Sequence, residues 1–187
     1  MLKSEFCVKD GDVMYLITEE ADIEALRNKI TQSIDLTVQK IRSRQESGSA
    51  IESMFELRFH KLGYDPIELT PLNFVEQLNQ TFSDLVALEG VRYLLRHYPG
   101  TTFKLHLGTE SGFDIESDDG MIIAECFAVT TVKSNEKLAK DSKKLMKCDT
   151  CSKRYIFLYT QFDSEDYLEK RYTAYPGVCC VRVDSLY

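Results

Sequence analysis

The chain has 187 residues, of which 43% are hydrophobic and 28% charged, the balance of an ordinary globular protein. A formal net charge of −7 argues against broad, unselective binding to nucleic acid. No run is apolar enough to span a membrane, and the opening MLKSEFCVKDGDV lacks the long apolar segment of a signal peptide, so a cytoplasmic location with reduced thiols is expected.

In chain order, residues 6–18 read as an opening strand or hairpin around Asp10-Gly11-Asp12. A helix is predicted over 19–46, because Ile23, Leu26, Ile30, Ile34, Val38 and Ile41 recur at spacings of three and four. Thr18 is placed to cap it. Ser47-Gly48-Ser49 interrupts, and a second helix follows over 50–62, ending at Gly63. Its Ile51, Met54, Phe55, Leu57 and Phe59 predict a largely buried element. The two helices are too apolar to stand alone, so they are expected to pack on the rest of the chain or on a second copy, as a homodimer contact. Two prolines make 64–72 an ordered connection. Residues 1–70 thus read as a helical extension and 71–187 as the core.

The core opens with a helix over 73–98, closed by Pro99-Gly100, with a wide apolar face from Phe74 to Leu95. Residues 103–107 alternate as a strand. The stretch 111–147 then parses as strand, tight turn, strand, short loop and helix. Asp119-Gly120 favours a two-residue hairpin loop with positive φ at both positions. That register sets Asp118 opposite Met121, Glu116 opposite Ile123 and Asp114 opposite Glu125. Two like charges held face to face are unfavourable unless neutralised. A divalent cation would do so; a merely solvated acidic pair is the plainer alternative. Glu125 lies within Ile122–Val129, apolar on both faces, so the strand is expected to be central and the charge to need a partner.

Over 135–147 a helix is expected to bury Leu138, Ala139, Ser142, Leu145 and Met146, with Lys137, Lys140, Lys144 and Lys147 as a stripe alongside. Residues 133–154 hold eight basic and three acidic side chains, a local +5 in an acidic protein. The short preceding loop lets Lys137 reach back toward the carboxylates. Cys148-Asp149-Thr150-Cys151 is a single C-x-x-C without the second pair of a structural zinc site, and reads as a plain turn. Cys126, Cys179 and Cys180 read as free buried thiols. A buried strand over 155–159, parallel to its predecessor, a helix over 164–175 capped by Ser164, and a last strand over 178–183 complete a mixed α/β sheet flanked by helices.

Gly112-Phe113-Asp114, Ala124-Glu125-Cys126-Phe127 and Asn135-Glu136-Lys137-Leu138-Ala139-Lys140-Asp141 together resemble the core of the PD-(D/E)XK nuclease superfamily, which includes many restriction endonucleases and DNA-repair nucleases. The resemblance covers roughly 72–161. It implies a restriction-endonuclease-like αβββαβ core, with Asp114 and Glu125 holding Mg²⁺ or Mn²⁺ and Lys137 assisting, or Lys133 in its place. It also implies a glutamate from the first core helix, Glu89 or Glu76, DNA contacts from Lys140 and Lys144, and dimerisation. The chain departs from the pattern in two places. Gly112-Phe113 stands where a proline often precedes the aspartate, and Phe127 stands where the lysine should be. The alternative expectation is therefore a nuclease fold without catalysis, serving as a binding or assembly subunit.

Overall fold

The computed structural model describes residues 7–9, 12–44, 49–108, 112–133 and 136–187. Along them run β1 (Cys7–Lys9), β2 (Asp12–Ile17), α1 (Glu20–Arg44), α2 (Ala50–Phe59), β3 (Gly63–Tyr64), β4 (Pro71–Leu72), α3 (Phe74–His97), β5 (Phe103–His106), β6 (Ile115–Ser117), β7 (Ile122–Val129), α4 (Lys137–Met146), β8 (Lys153–Thr160), α5 (Glu165–Tyr172) and β9 (Cys179–Arg182). Two sequence features lie outside the described residues: the Asp10-Gly11 turn and the Ser47-Gly48 break. So does Asn135, the expected start of α4.

Seven strands form one mixed sheet in the order β1-β2-β5-β6-β7-β8-β9. Pairing is antiparallel from β1 through β7 and parallel from β7 to β9. The chain forms two compact units, one from residues up to Asp22 together with Ser83–Tyr187, the other from Ile23–Phe82. The division falls inside α1 and α3 rather than near residue 70, and β1 and β2 belong to the sheet.

In the sheet unit β7 is an interior strand, fifth of the seven, and every residue from 122 to 127 is buried. On one face Ile123 and Phe127 join Ile156 and Leu158 of β8, Leu138 and Leu145 of α4 and Leu168 of α5 in a single apolar cluster. Elsewhere in the unit α3 approaches closely at Gly90. A Cβ there would lie 2.7 Å from the Phe157 ring and 3.2 Å from Ile115 Cδ1, so only glycine permits that approach. The α5 helix starts at Ser164 as expected, its hydroxyl accepting from Tyr167 N. At the other end of the unit Thr18 does not cap α1. Instead Asp22 Oδ2 accepts from Thr18 N, Thr18 Oγ1 and Glu19 N at 2.9, 3.0 and 3.2 Å, because a carboxylate satisfies several orphan donors at once.

In the other unit, the continuous apolar stripe expected on α1 gives way to a polar seam. Ser33 and Thr37 are buried, while Ile34 and Val38 are left partly exposed. Gln77 explains the exchange. Its Oε1 accepts from Thr37 Oγ1 (2.6 Å) and Tyr64 N (3.2 Å), and its Nε2 donates to Ser33 Oγ, which donates to Tyr64 O (both 3.0 Å). A buried amide with both acceptor sites and one donor engaged holds these elements together as an apolar contact would. The expected burial of α2 is also overturned. None of its residues is buried, and Ile51, Met54, Phe55 and Phe59 are among the most exposed large apolar side chains described. Its cohesion is local, from a capping box between Ser49 and Glu52 and a Phe55–Phe59 ring contact at 4.7 Å.

Candidate active site

The β6–β7 hairpin has the expected register by another route. Ile115 pairs with Ala124 and Glu116 with Ile123. The loop, however, is four residues, 118–121, and not the two-residue Asp119-Gly120 turn. Gly120 N donates to Ser117 O at 2.8 Å, and Gly120 takes φ 70° while Asp119 does not adopt positive φ. Asp119 Oδ1 instead accepts from Ser117 Oγ (2.6 Å) and Met121 N (3.0 Å), and Ser117 Oγ accepts from Ile122 N (2.9 Å). Side chains thus do what a second left-handed residue would have done, and the strands meet in the same frame.

At the other end of the hairpin Asp114 sits just before β6. Its carbonyl accepts from His106 N of β5 at 2.9 Å, and its Oδ2 accepts from Cys126 N of β7 at 2.6 Å. The two bonds tie Asp114 to the strands on either side of it. Glu125 stands next to Cys126 on β7, between Ile123 and Phe127 on the face covered by α4, and its side chain is only 3% exposed. Burial, and then the charge of Asp114, push the Glu125 carboxyl up to about 7. Burial likewise raises Asp114, partly offset by the Cys126 N–H and by Lys137 and Lys144.

Helix α4 supplies the opposite charge. It starts after Glu136, which takes a left-handed conformation (φ 52°) and gives no side-chain cap. Lys137, Asp141 and Lys144 follow at i, i+4 and i+7, so they share one face. Lys137 Nζ lies 3.1 Å from each carboxylate oxygen of Asp141. Lys144 Nζ lies 2.5 Å from Glu125 Oε1, donates to Gly112 O, and stands 5.4 Å from the centre of the Phe113 ring. Burial raises the Asp141 carboxyl against the pull of Lys137. Burial alone would lower Lys137, but Asp141, Asp114 and Glu125 together hold its ammonium above the usual lysine value. The five groups make one electrostatic cluster: Asp114 and Glu125 from the hairpin, Lys137, Asp141 and Lys144 from α4.

The expected buried face of α4 is corrected by this. Leu138, Ser142 and Leu145 are buried as expected, but Met146 is exposed and Ala139 only half-buried, and Asp141 takes an interior place. Periodicity treats an aspartate as an outward residue, so Asp141 escaped it; the one hint was its spacing from two lysines. Of the other candidates, Lys133 and Lys140 are exposed. Glu89 accepts from Arg92, which also holds Glu20, and Glu76 is exposed near the start of α3. Phe127 is fully buried in the apolar cluster. Cys126 is buried too, and burial pushes its thiol well above the usual value, which disqualifies it as a thiolate nucleophile.

The C-x-x-C is not a plain turn. Cys148 and Cys151 form a disulfide just after α4, and Arg154 donates to the carbonyls of Leu145 (3.1 Å) and Cys148 (2.5 Å), closing the helix end. Of the other cysteines expected to be buried, Cys126 is, Cys180 is half-buried and Cys179 is exposed.

Among the described residues no group of three or more His, Cys, Asp or Glu side chains is arranged to hold a metal ion. Mg²⁺, however, commonly takes one or two protein carboxylates and completes its shell with water and phosphate oxygens. Asp114 and Glu125 fit that role. Both supply hard oxygen donors, and the buried Glu125 carboxylate needs an adjacent cation to stay charged. No family model, curated protein or solved structure matches the chain. Among the described residues no helix is long and apolar enough to cross a membrane.

Proposed function

We propose that the chain is a metal-dependent phosphodiester hydrolase acting on DNA, built on a restriction-endonuclease-like core. The observation that carries this reading is the buried Glu125 carboxylate beside Asp114, faced by two lysines of α4. The order α3, β5, β6, β7, α4, β8 supports it, being the αβββαβ order that the sequence resemblance implies. Asp114 and Glu125 would hold Mg²⁺ or Mn²⁺. Such an ion supplies a nucleophilic water and polarises the scissile phosphate. The chain's own groups do the rest. The Cys126 N–H fixes one Asp114 oxygen, Asp141 holds the Lys137 ammonium at the edge of the carboxylates, and that ammonium offsets charge developing on the phosphate. Lys140, exposed on α4, extends the basic surface toward the DNA backbone.

Incubation with supercoiled and linear DNA in Mg²⁺ or Mn²⁺ tests this. Cleavage that disappears in Asp114→Ala and Glu125→Ala is expected. Absence of cleavage by the wild type, or its persistence in Asp114→Ala, overturns the reading. One observation favours a second reading, a binding or assembly subunit without catalysis: Phe127, fully buried, occupies the strand position where the resemblance places a lysine. DNA binding without cleavage, unaltered by Glu125→Ala, would select it.

A further inference from the structure

The two lysines of α4 are held in different ways. Lys137 is paired with Asp141 one turn along its own helix, with the aspartate side chain buried, so the pair moves with α4 as a unit. Lys144 reaches across to β7. Its side chain is 45% exposed, whereas that of its partner Glu125 is 3% exposed. Glu125 Oε1 is buried, and no group among the described residues donates to it other than through the Lys144 contact. The ammonium therefore stands where the ionised Glu125 carboxylate calls for a cation, and it does so on a flexible four-carbon stem that is half exposed.

Resting on the phosphodiester reading above, we propose that Lys144 is a displaceable occupant of the cation site. A divalent ion taking Asp114 and Glu125 releases the Lys144 ammonium, which then engages a non-bridging oxygen of the substrate phosphodiester. The exchange is asymmetric. A half-exposed ammonium returns to water cheaply, while the buried carboxylate is never left alone, since the ion arrives as the lysine departs. Charge bookkeeping points the same way. With all five groups ionised, the carboxylates of Asp114, Glu125 and Asp141 and the ammoniums of Lys137 and Lys144 sum to −1, which repels a phosphodiester. A divalent ion brings the sum to +1, enough to neutralise one phosphodiester group. The cluster thus becomes attractive to DNA only once the metal is in, with Lys144 as the arm that makes the change. Gly112 O and the Phe113 ring hold the arm in its parked position.

Calorimetric titration with Mn²⁺ alone, without DNA, separates the outcomes. Lys144→Met removes the competitor, so it is expected to bind Mn²⁺ more tightly than the wild type, within the roughly 5–150-fold span of ordinary site coupling. Lys137→Met, lacking the cross-strand contact, is expected to shift affinity less. Wild-type Mn²⁺ binding with unchanged or weakened affinity in Lys144→Met overturns the displacement and leaves the hydrolase reading standing. No Mn²⁺ binding by the wild type overturns both. A second measurement needs no variant. Limited acetylation of the intact wild-type protein, read by peptide mass spectrometry, is expected to label Lys144 faster relative to Lys137 when Mg²⁺ is added. An unchanged ratio overturns the proposal.

Discussion

Helices α2 and α4 have ten residues each but differ in how they start and in what they bury. By local criteria α2 is the better helix: it begins at a complete capping box, with Ser49 N donating to Glu52 and Glu52 N to Ser49 Oγ. Yet it buries none of its residues, and its apolar side chains face outward. The α4 helix begins behind a left-handed residue with no side-chain cap, yet it buries Leu138, Asp141, Ser142 and Leu145 and carries three members of the charge cluster. Capping decides where a helix can start. What it packs against decides what it is for, and in α4 that is a strand bearing a buried acid.

The contrast can be broken by substitution, and the largest effect is expected where burial is greatest. Leu145→Ala should cost about 2–5 kcal/mol of stability in chemical denaturation, as deletions of fully buried leucines do. Lys137→Ala should lower DNA cleavage by about 100-fold or more, with a modest change in melting temperature, given what a positioned charge contributes to a transition state. Glu125 gives a pH signature confined to the sheet unit. Its carboxyl holds its proton up to about 7 in the folded chain against 4.5 when free. Between those values the folded state binds the proton that the unfolded state has released, so stability from this group is full below 4.5 and is lost as pH rises to about 7. Asp114 and Asp141, also raised by burial, act in the same sense. Urea denaturation at pH 5 and pH 8 should show the decline, and Glu125→Gln should flatten it; an unchanged slope would refute this assignment. On α2 the effects shrink. Ser49→Ala should cost about 1 kcal/mol, seen as faster amide exchange in the first turn of α2. Ile51→Ala, at a position 82% exposed, should change stability by no more than about 0.5 kcal/mol.

Much of the sheet was readable because its signals are local. The β6–β7 frame follows from where one turn is placed between two strands, and it survived a misjudged turn because Ser117 and Asp119 side chains closed the loop to the same register. The interior place of β7 followed from its two apolar faces. Other features were hidden for identifiable reasons. Ile51, Phe55 and Phe59 look like core in any sequence, since spacing gives a helix an apolar face without saying what covers it. Ser33 and Thr37 look like surface until Gln77, some forty residues away, supplies their hydrogen bonds. Asp141 looks like an ordinary charged helix position, and only the cluster around Glu125 gives it a reason to be inside. The Cys148–Cys151 bridge was passed over because a single C-x-x-C without the second pair of a zinc site reads as a turn.

The hairpin and the crossover also differ in when they can form. The β6–β7 contacts span a few residues of chain, whereas the β7–β8 ladder from Ile122↔Lys153 to Val129↔Thr160 joins residues about thirty apart, with α4 between them. Short-range pairings close first because less chain entropy is lost in making them. During folding the two acids are therefore expected to come together before the lysines that balance them arrive.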